Sequence, residues 1–361
     1  MKKIRVLMCG SDLTHVKGGM VSVSRNYLES EEWKNTEVSY IATHREGASF
    51  IKILVFLGAY LRILRRLLQG RIDVALLNVS ERGSFFRKAL LMRLCHRFSV
   101  PVIFHHHGAE FNDFYRLLPD RKKAFVSRVL SEADLNIVLS KLQEKDILEK
   151  APKARVGYLY NSIKIASTNR YCKEAVLLVT FGRLGKRKGT YDLLKVLHEL
   201  DPVLPPCIKA ALCGDGEVDE VRALIKEYHL EERIVHVGWT EGKKKEEYIE
   251  HAMLHILPSY REVLPMSILE TMAYGIPNIS TRIASIPEVI EDGVNGFLIE
   301  PGDLEALKEK ILTLSTDTLL RLKFSQAAYE KTAAKFSLSS NIAALEKIFM
   351  GLTGKYSGDQ R

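Results

Sequence analysis

The chain has 361 residues, is 46% hydrophobic and 27% charged, and so has the composition of an ordinary globular protein long enough for two domains. Its five cysteines, Cys9, Cys95, Cys172, Cys207 and Cys213, form no CxxC pair and no metal-ligand cluster; they are expected to be buried thiols in a reducing compartment. The net charge of +9 is uneven: residues 1–168 hold 28 Lys and Arg against 16 Asp and Glu, a balance of +12, while 169–361 hold 25 against 28, a balance of −3. An anionic partner, whether nucleic acid, a membrane surface or a substrate, therefore belongs to the first half.

The start, MKKIRVLMCG, has a basic flank but an apolar run too short for a signal peptide, and residues 4–9 are predicted as a first β-strand. The loop SDLTHVKGGM follows, with a helix predicted from near Val21. This unit brings Gly18 and Gly19 close to whatever lies above the sheet, although it is not GxGxxG. Further strands are predicted at 38–42, 74–78, 102–105, 135–139 and 156–160 with helical stretches between them, which argues for a parallel sheet covered on both faces.

Residues 50–68, FIKILVFLGAYLRILRRLL, could pass for a membrane span, but the longest uncharged run is too short to cross a bilayer. Wound as a helix, Phe50, Ile53, Leu54, Leu57, Leu61, Leu64 and Leu68 share a face opposite Lys52, Arg62, Arg65 and Arg66. Phe56, Tyr60, Ile63 and Leu67 widen the apolar arc. Two readings stay open: a core helix with a wet basic face, or a helix whose exposed edge rests on an anionic bilayer. The basic segment SERGSFFRKALLMRLCHRF and the run Arg121-Lys122-Lys123 favour the second.

A polar break, NSIKIASTNRYCKE, sets a boundary near residue 168. A second alternation then begins, with strands at 177–181, 208–213, 234–237, 254–257, 278–280 and 297–299. The expectation is an α/β chain of two doubly wound, Rossmann-like parallel-sheet domains, 1–168 and 169–338, facing across a cleft at the carboxyl ends of their strands. Residues 339–361 are expected to be a C-terminal helix and tail, disordered from Gly351.

Three stretches carry chemistry. In SYREVLPMSILE, Glu262 lies in the loop after an apolar strand and Glu270 inside the following helix, whose first turn is read as Leu264-Pro265-Met266. Amides at a helix start carry positive partial charge and suit a diphosphate, leaving the two carboxylates to take hydroxyls on either side. In FGRLGKRKGTYDLL, Arg183, Lys186, Arg187 and Lys188 stand between Gly182 and Gly189, where cations and amides meet before a helix. In FHHHGAEF only His105 and His107 share a strand face, and no carboxylate or Cys cluster completes a ligand set, so no metal is expected. His107, before Gly108 at the strand end, is the better placed of them to face the cleft; a satisfied structural histidine is the alternative reading.

Together FGRLGKRKG, CGDGE, VGW, PSYREVLPMSILETMAYGIPNIST and IPEVIEDGVNGFLIEPGD resemble the retaining glycosyltransferases of the GT-B fold, family four. The resemblance implies that Glu262 contacts donor-sugar hydroxyls, Glu270 holds the ribose, Arg183 and Lys188 neutralise the diphosphate, Gly18 and Gly19 approach it, His107 lies beside the transferred sugar, and Trp239 frames the base. Gly182, Gly214, Leu264, Pro265 and Met266 complete the implied donor site. Two departures stand out. Val263 follows the first glutamate where Gly is common, and Ala284-Ser285 replaces a frequent Gly-Gly; both bear on the identity of the sugar.

The implied reaction moves a hexosyl or N-acetylhexosaminyl group from a nucleotide diphosphate sugar, a UDP-sugar first, to a hydroxyl of a lipid-linked or envelope polysaccharide. It proceeds with retention, with no cofactor and no metal. The implied place is the cytoplasmic side of a membrane, with peripheral attachment to its anionic surface. An epimerase of the same fold and a non-catalytic nucleotide-sugar-binding subunit are the alternatives; nucleic-acid binding has no accompanying motif.

Overall fold

The computed structural model describes residues 3–354. Twelve strands alternate with helices: β1 (Ile4–Ser11), β2 (Thr36–His44), β3 (Val74–Val79), β4 (Val102–His106), β5 (Leu135–Val138) and β6 (Val156–Tyr158), then β7 (Leu177–Phe181), β8 (Lys209–Cys213), β9 (Ile234–Gly238), β10 (Ala252–Leu257), β11 (Asn278–Thr281) and β12 (Gly296–Ile299). They form two six-stranded sheets. The central strands β3, β4, β7 and β10 are buried along their whole length, as apolar runs covered by helices on both faces must be.

The chain divides into two compact units, 1–162 with 338–361, and 163–337. The boundary expected near residue 168 falls inside the second unit, because Ile163 bridges to Ser337 and the Ala166 carbonyl accepts the Tyr329 hydroxyl at 2.7 Å. The final helix, Leu338–Thr353, belongs to the first unit. Asn341 accepts the buried Tyr27 hydroxyl at 2.7 Å and donates to the Tyr160 carbonyl at 2.7 Å, and Phe349 stacks on Trp33. Gly351 lies within that helix, which corrects the expected disorder there; the rest of that expectation, from 355 on, lies outside the described residues.

In the first unit the sheet runs β2-β1-β3-β4-β5-β6, all parallel. Its order reverses between β1 and β3, which opens a crevice at their carboxyl ends. In the second unit the order β12-β11-β10-β7-β8-β9 is that of a dinucleotide-binding domain, with its reversal between β7 and β10.

The helix Ser49–Leu68 buries Ala59, Ile63 and Leu67 and packs Phe56, Tyr60 and Leu64 against the core. The other apolar stripe, Phe50, Ile53, Leu54, Leu57, Leu61 and Leu68, faces out, each residue 51–69% exposed. The core reading of that stripe is thus corrected: the small Ala59 sets which side approaches the sheet. Among the described residues no helix is long and apolar enough to cross a membrane. Of the cysteines, Cys9, Cys95 and Cys213 are buried, but Cys172 and Cys207 are exposed, because both lie in loops outside the apolar strands.

Candidate active site

The second unit's switch point is built by two loops that lean on each other. After β7 the chain turns at Gly182, whose φ of 136° favours glycine, passes through Arg183, and forms a short helical turn, Lys186–Lys188. Gly189 follows with φ 68°, and a Cβ there would run into the Pro258 carbonyl at the start of the loop after β10. The Tyr260 amide donates to the Arg187 carbonyl at 2.9 Å, and the Arg187 guanidinium donates to the Arg261 carbonyl at 3.1 Å. Gly214, after β8, completes the floor: any side chain there would meet the Gly182 carbonyl. Its implied place in the site therefore has a packing reason of its own.

These loops bring Lys188 and Glu262 into a direct ion pair. Both side chains are nearly buried, at 12% and 8% exposure, and the Ser259 hydroxyl donates to the same carboxylate oxygen at 3.1 Å. Arg183 is exposed beside them and forms no ion pair among the described residues. Pro265 is the N-cap of the helix Met266–Ala273, so the helix starts two residues later than a first turn at Leu264-Pro265-Met266 implied. Its opening amides have no acceptor within the helix. Glu270 lies in the second turn and accepts from Lys245 at 2.7 Å. The Lys245 ammonium also lies 5.4 Å from the centre of the Phe181 ring, which ties the second carboxylate to the end of β7.

Lys245 and Ser259 were not singled out in the sequence. Lys245 lies in GKKKEE, a run that reads as solvated helix surface, and only the fold puts it against Glu270. Trp239, after β9, donates from Nε1 to Glu241 at 3.1 Å. The two departures from the family pattern meet: the Val263 carbonyl accepts both the amide and the hydroxyl of Ser285. Ala284 has φ 47°, the left-handed conformation that explains why Gly is frequent there.

In the first unit Gly18 has φ 124° and caps the helix Gly19–Leu28, with open space where a Cβ would stand; the helix starts two residues before Val21. His107 follows β4, its amide donating to the Val79 carbonyl at 2.8 Å. Its ring lies 4.1 Å from that of His105, and His107 Nε2 and both His105 nitrogens are buried without a partner. Burial, reinforced by His106, pushes His107 down to about 3, so its ring is neutral near pH 7. His106 points to the other face and bonds Asn136 at 3.1 Å. Among the described residues, no three His, Cys, Asp or Glu side chains are grouped to hold a metal ion.

Residues 164–331 match the model of the family "Glycosyl transferases group 1". The chain carries a glycosyl transferases group 1 domain. Its sequence relatives include named glycosyltransferases. The amylovoran biosynthesis glycosyltransferase AmsK of Erwinia amylovora is 25% identical over 73% of this chain and 67% of its own length. An uncharacterized 41.2 kDa protein in the cps region of Klebsiella pneumoniae is 25% identical over 81% of this chain and 86% of its own. Among solved structures, HepE of Anabaena in complex with UDP superposes with a TM-score of 0.75 at 16% identity, covering 97% of this chain and 100% of that one. That likeness establishes the fold of the glycosyltransferase, GT-B.

Proposed function

We propose that this glycosyltransferase moves a hexosyl or N-acetylhexosaminyl group from a nucleotide diphosphate sugar, UDP-linked, to a hydroxyl of a lipid-linked or envelope polysaccharide acceptor, with retention and without a resident metal. The observation that carries this reading is the switch point of the second unit, where exposed Arg183, the Lys188–Glu262 pair and the start of the helix Met266–Ala273 converge. Glu270 lies one turn further in. Cations and helix amides suit a diphosphate, and carboxylates on either side suit sugar and ribose hydroxyls. HepE was solved with UDP and AmsK is named for amylovoran biosynthesis, which supports the donor and acceptor classes.

In the reaction the bond from the anomeric carbon to the diphosphate oxygen breaks, and the acceptor oxygen bonds to the same face of that carbon. The acceptor proton passes to the departing phosphate oxygen. Arg183, Lys188 and the amides at Met266 stabilise the negative charge that develops on the leaving group, and most of the acceleration comes from positioning and electrostatics. His107, neutral, offers a hydrogen bond to the transferred sugar. The exposed stripe Phe50 to Leu68, with exposed Arg62 and Arg65 on the same helix, is assigned to an anionic bilayer, and the enzyme to its cytoplasmic side.

The test is a panel of nucleotide sugars incubated with the full chain, with and without a lipid diphosphate acceptor, and with EDTA. The expected result is EDTA-insensitive release of nucleoside diphosphate that requires acceptor, with the donor's anomeric configuration kept in the product by NMR. Release without acceptor would turn the reading to an epimerase; binding without turnover would turn it to a non-catalytic subunit.

A further inference from the structure

The first unit holds a group of basic side chains that the donor chemistry does not use. His44 ends β2. Lys88, in the helix Gly83–His96, is 1% exposed and reaches under the same sheet edge to donate to Thr43 Oγ1 at 2.7 Å. Thr43 in turn donates to the Gly10 carbonyl at 3.0 Å. That is the lone hydrogen bond of the Lys88 ammonium among the described residues, although an ammonium has three donors. Arg87 Nε and His44 Nδ1 are buried with no partner, and exposed Lys52 completes the group from the first turn of the helix Ser49–Leu68.

No acid balances these charges. Among the described residues none of Lys52, Arg87 and Lys88 forms an ion pair. Asp12, whose amide donates to the His44 carbonyl at 2.7 Å, turns its Oδ1 to the amides of Thr14 and His15 and to the His15 ring. Burial pushes Lys88 down to about 8, with Arg87 adding to the effect and Cys9 opposing it. Burial, then repulsion from Arg87, Lys52 and Lys88, pushes His44 down to about 4. The four groups therefore feel one another, running from an exposed lysine through two half-buried donors to a buried ammonium. A folded chain keeps buried cations in this state only at a cost, which a bound oxyanion would offset.

We propose that the carboxyl edge of β1 and β2 carries an oxyanion site, formed by His44, Lys52, Arg87 and Lys88, that holds a phosphoryl group of the acceptor. The word acceptor rests on the transferase reading above; the binding itself does not. The edge is the one that carries the Gly18–Gly19 loop and His107, where ligands of open α/β sheets bind. Arg87 Nε–H, and His44 Nδ1 in the tautomer that carries its proton there, supply hydrogen bonds, and Lys88 supplies charge in a site with little water.

The experiment is calorimetric titration of the full chain with inorganic diphosphate, with a short prenyl diphosphate and with UDP. Arg87→Gln and Lys52→Gln are each expected to weaken both diphosphate arms at least about tenfold, leaving UDP binding unchanged; Arg183→Gln should do the reverse. A loss confined to the prenyl arm assigns the site to a lipid-borne phosphate, and an equal loss in both assigns it to the phosphoryl group itself. Lys88→Met should abolish diphosphate binding without lowering the melting temperature of the anion-free chain, whereas a lysine kept only for packing would lower it. Parent-like diphosphate binding in the Lys52 and Arg87 variants, or none in the parent, overturns the site. If UDP still binds in that case, the donor reading stands alone.

Discussion

Replacing Lys188 with Met tests how the candidate site is held together. Its ammonium meets the Glu262 carboxylate where both side chains are about nine-tenths buried. At an effective dielectric constant near 20, charges in hydrogen-bonding contact attract by roughly 5 kcal/mol, most of it offset by the loss of hydration. Removing one partner leaves the other buried and unpaired, which costs about 3–5 kcal/mol. The Ser259 hydroxyl remains on Glu262 at 3.1 Å and places the expected loss at the lower end, about 3 kcal/mol. Combining Lys188→Met with Glu262→Gln should return most of that stability while leaving turnover reduced at least about a hundredfold. The assay is urea unfolding in a Trp33→Phe background, so that Trp239 alone reports the second unit. A coupling energy below about 0.5 kcal/mol in the double-mutant cycle would refute the reasoning.

Four further outcomes follow from the same geometry. Gly189→Ala, with positive φ and its Cβ against the Pro258 carbonyl, should destabilise the second unit by at least about 2 kcal/mol in the same urea assay. Ala284→Gly should stabilise it by about 1 kcal/mol, because the left-handed conformation then carries no Cβ penalty. Changing Phe50, Leu54, Leu57 and Leu61 together to Ser should abolish sedimentation with anionic vesicles without lowering the melting temperature, since all four are exposed; vesicle binding that survives would end the bilayer assignment. His106 and His107 are held at about 4 and about 3 against an ordinary 6.5. The unfolded chain therefore takes up protons that the folded chain refuses, and stability should fall as pH drops below 6.5, by up to about 1.4 kcal/mol per pH unit for each ring. His106→Gln should flatten that slope.

The twelve strands were legible as short, mostly apolar runs between polar loops, clearest where a parallel strand is covered on both faces. The edge strand β2 extends beyond its predicted 38–42 at both ends, since residues alternating with solvent there break the run. The glutamate loop and the basic loop were legible as local patterns, and the fold adds that they belong to the two strands at the order reversal. Three things were not legible. Lys245 pairs with Glu270 across 25 positions, and nothing in a charge run names its partner. The terminal helix returns to the first unit through contacts such as Tyr27 to Asn341, 314 positions apart. The helix at Ser49–Leu68 has two apolar stripes, and periodicity alone does not say which is covered; the fold covers the one that carries the buried Ala59, Ile63 and Leu67.

If a nucleotide diphosphate is held at the switch point between β7 and β10, it should be visible there directly. The most direct measurement is a crystal structure of the chain grown with UDP. The phosphates are expected beside Arg183, Lys188 and the Met266 amide, with the ribose hydroxyls on Glu270. Nucleotide density away from the Arg183 and Glu262 loops would contradict it.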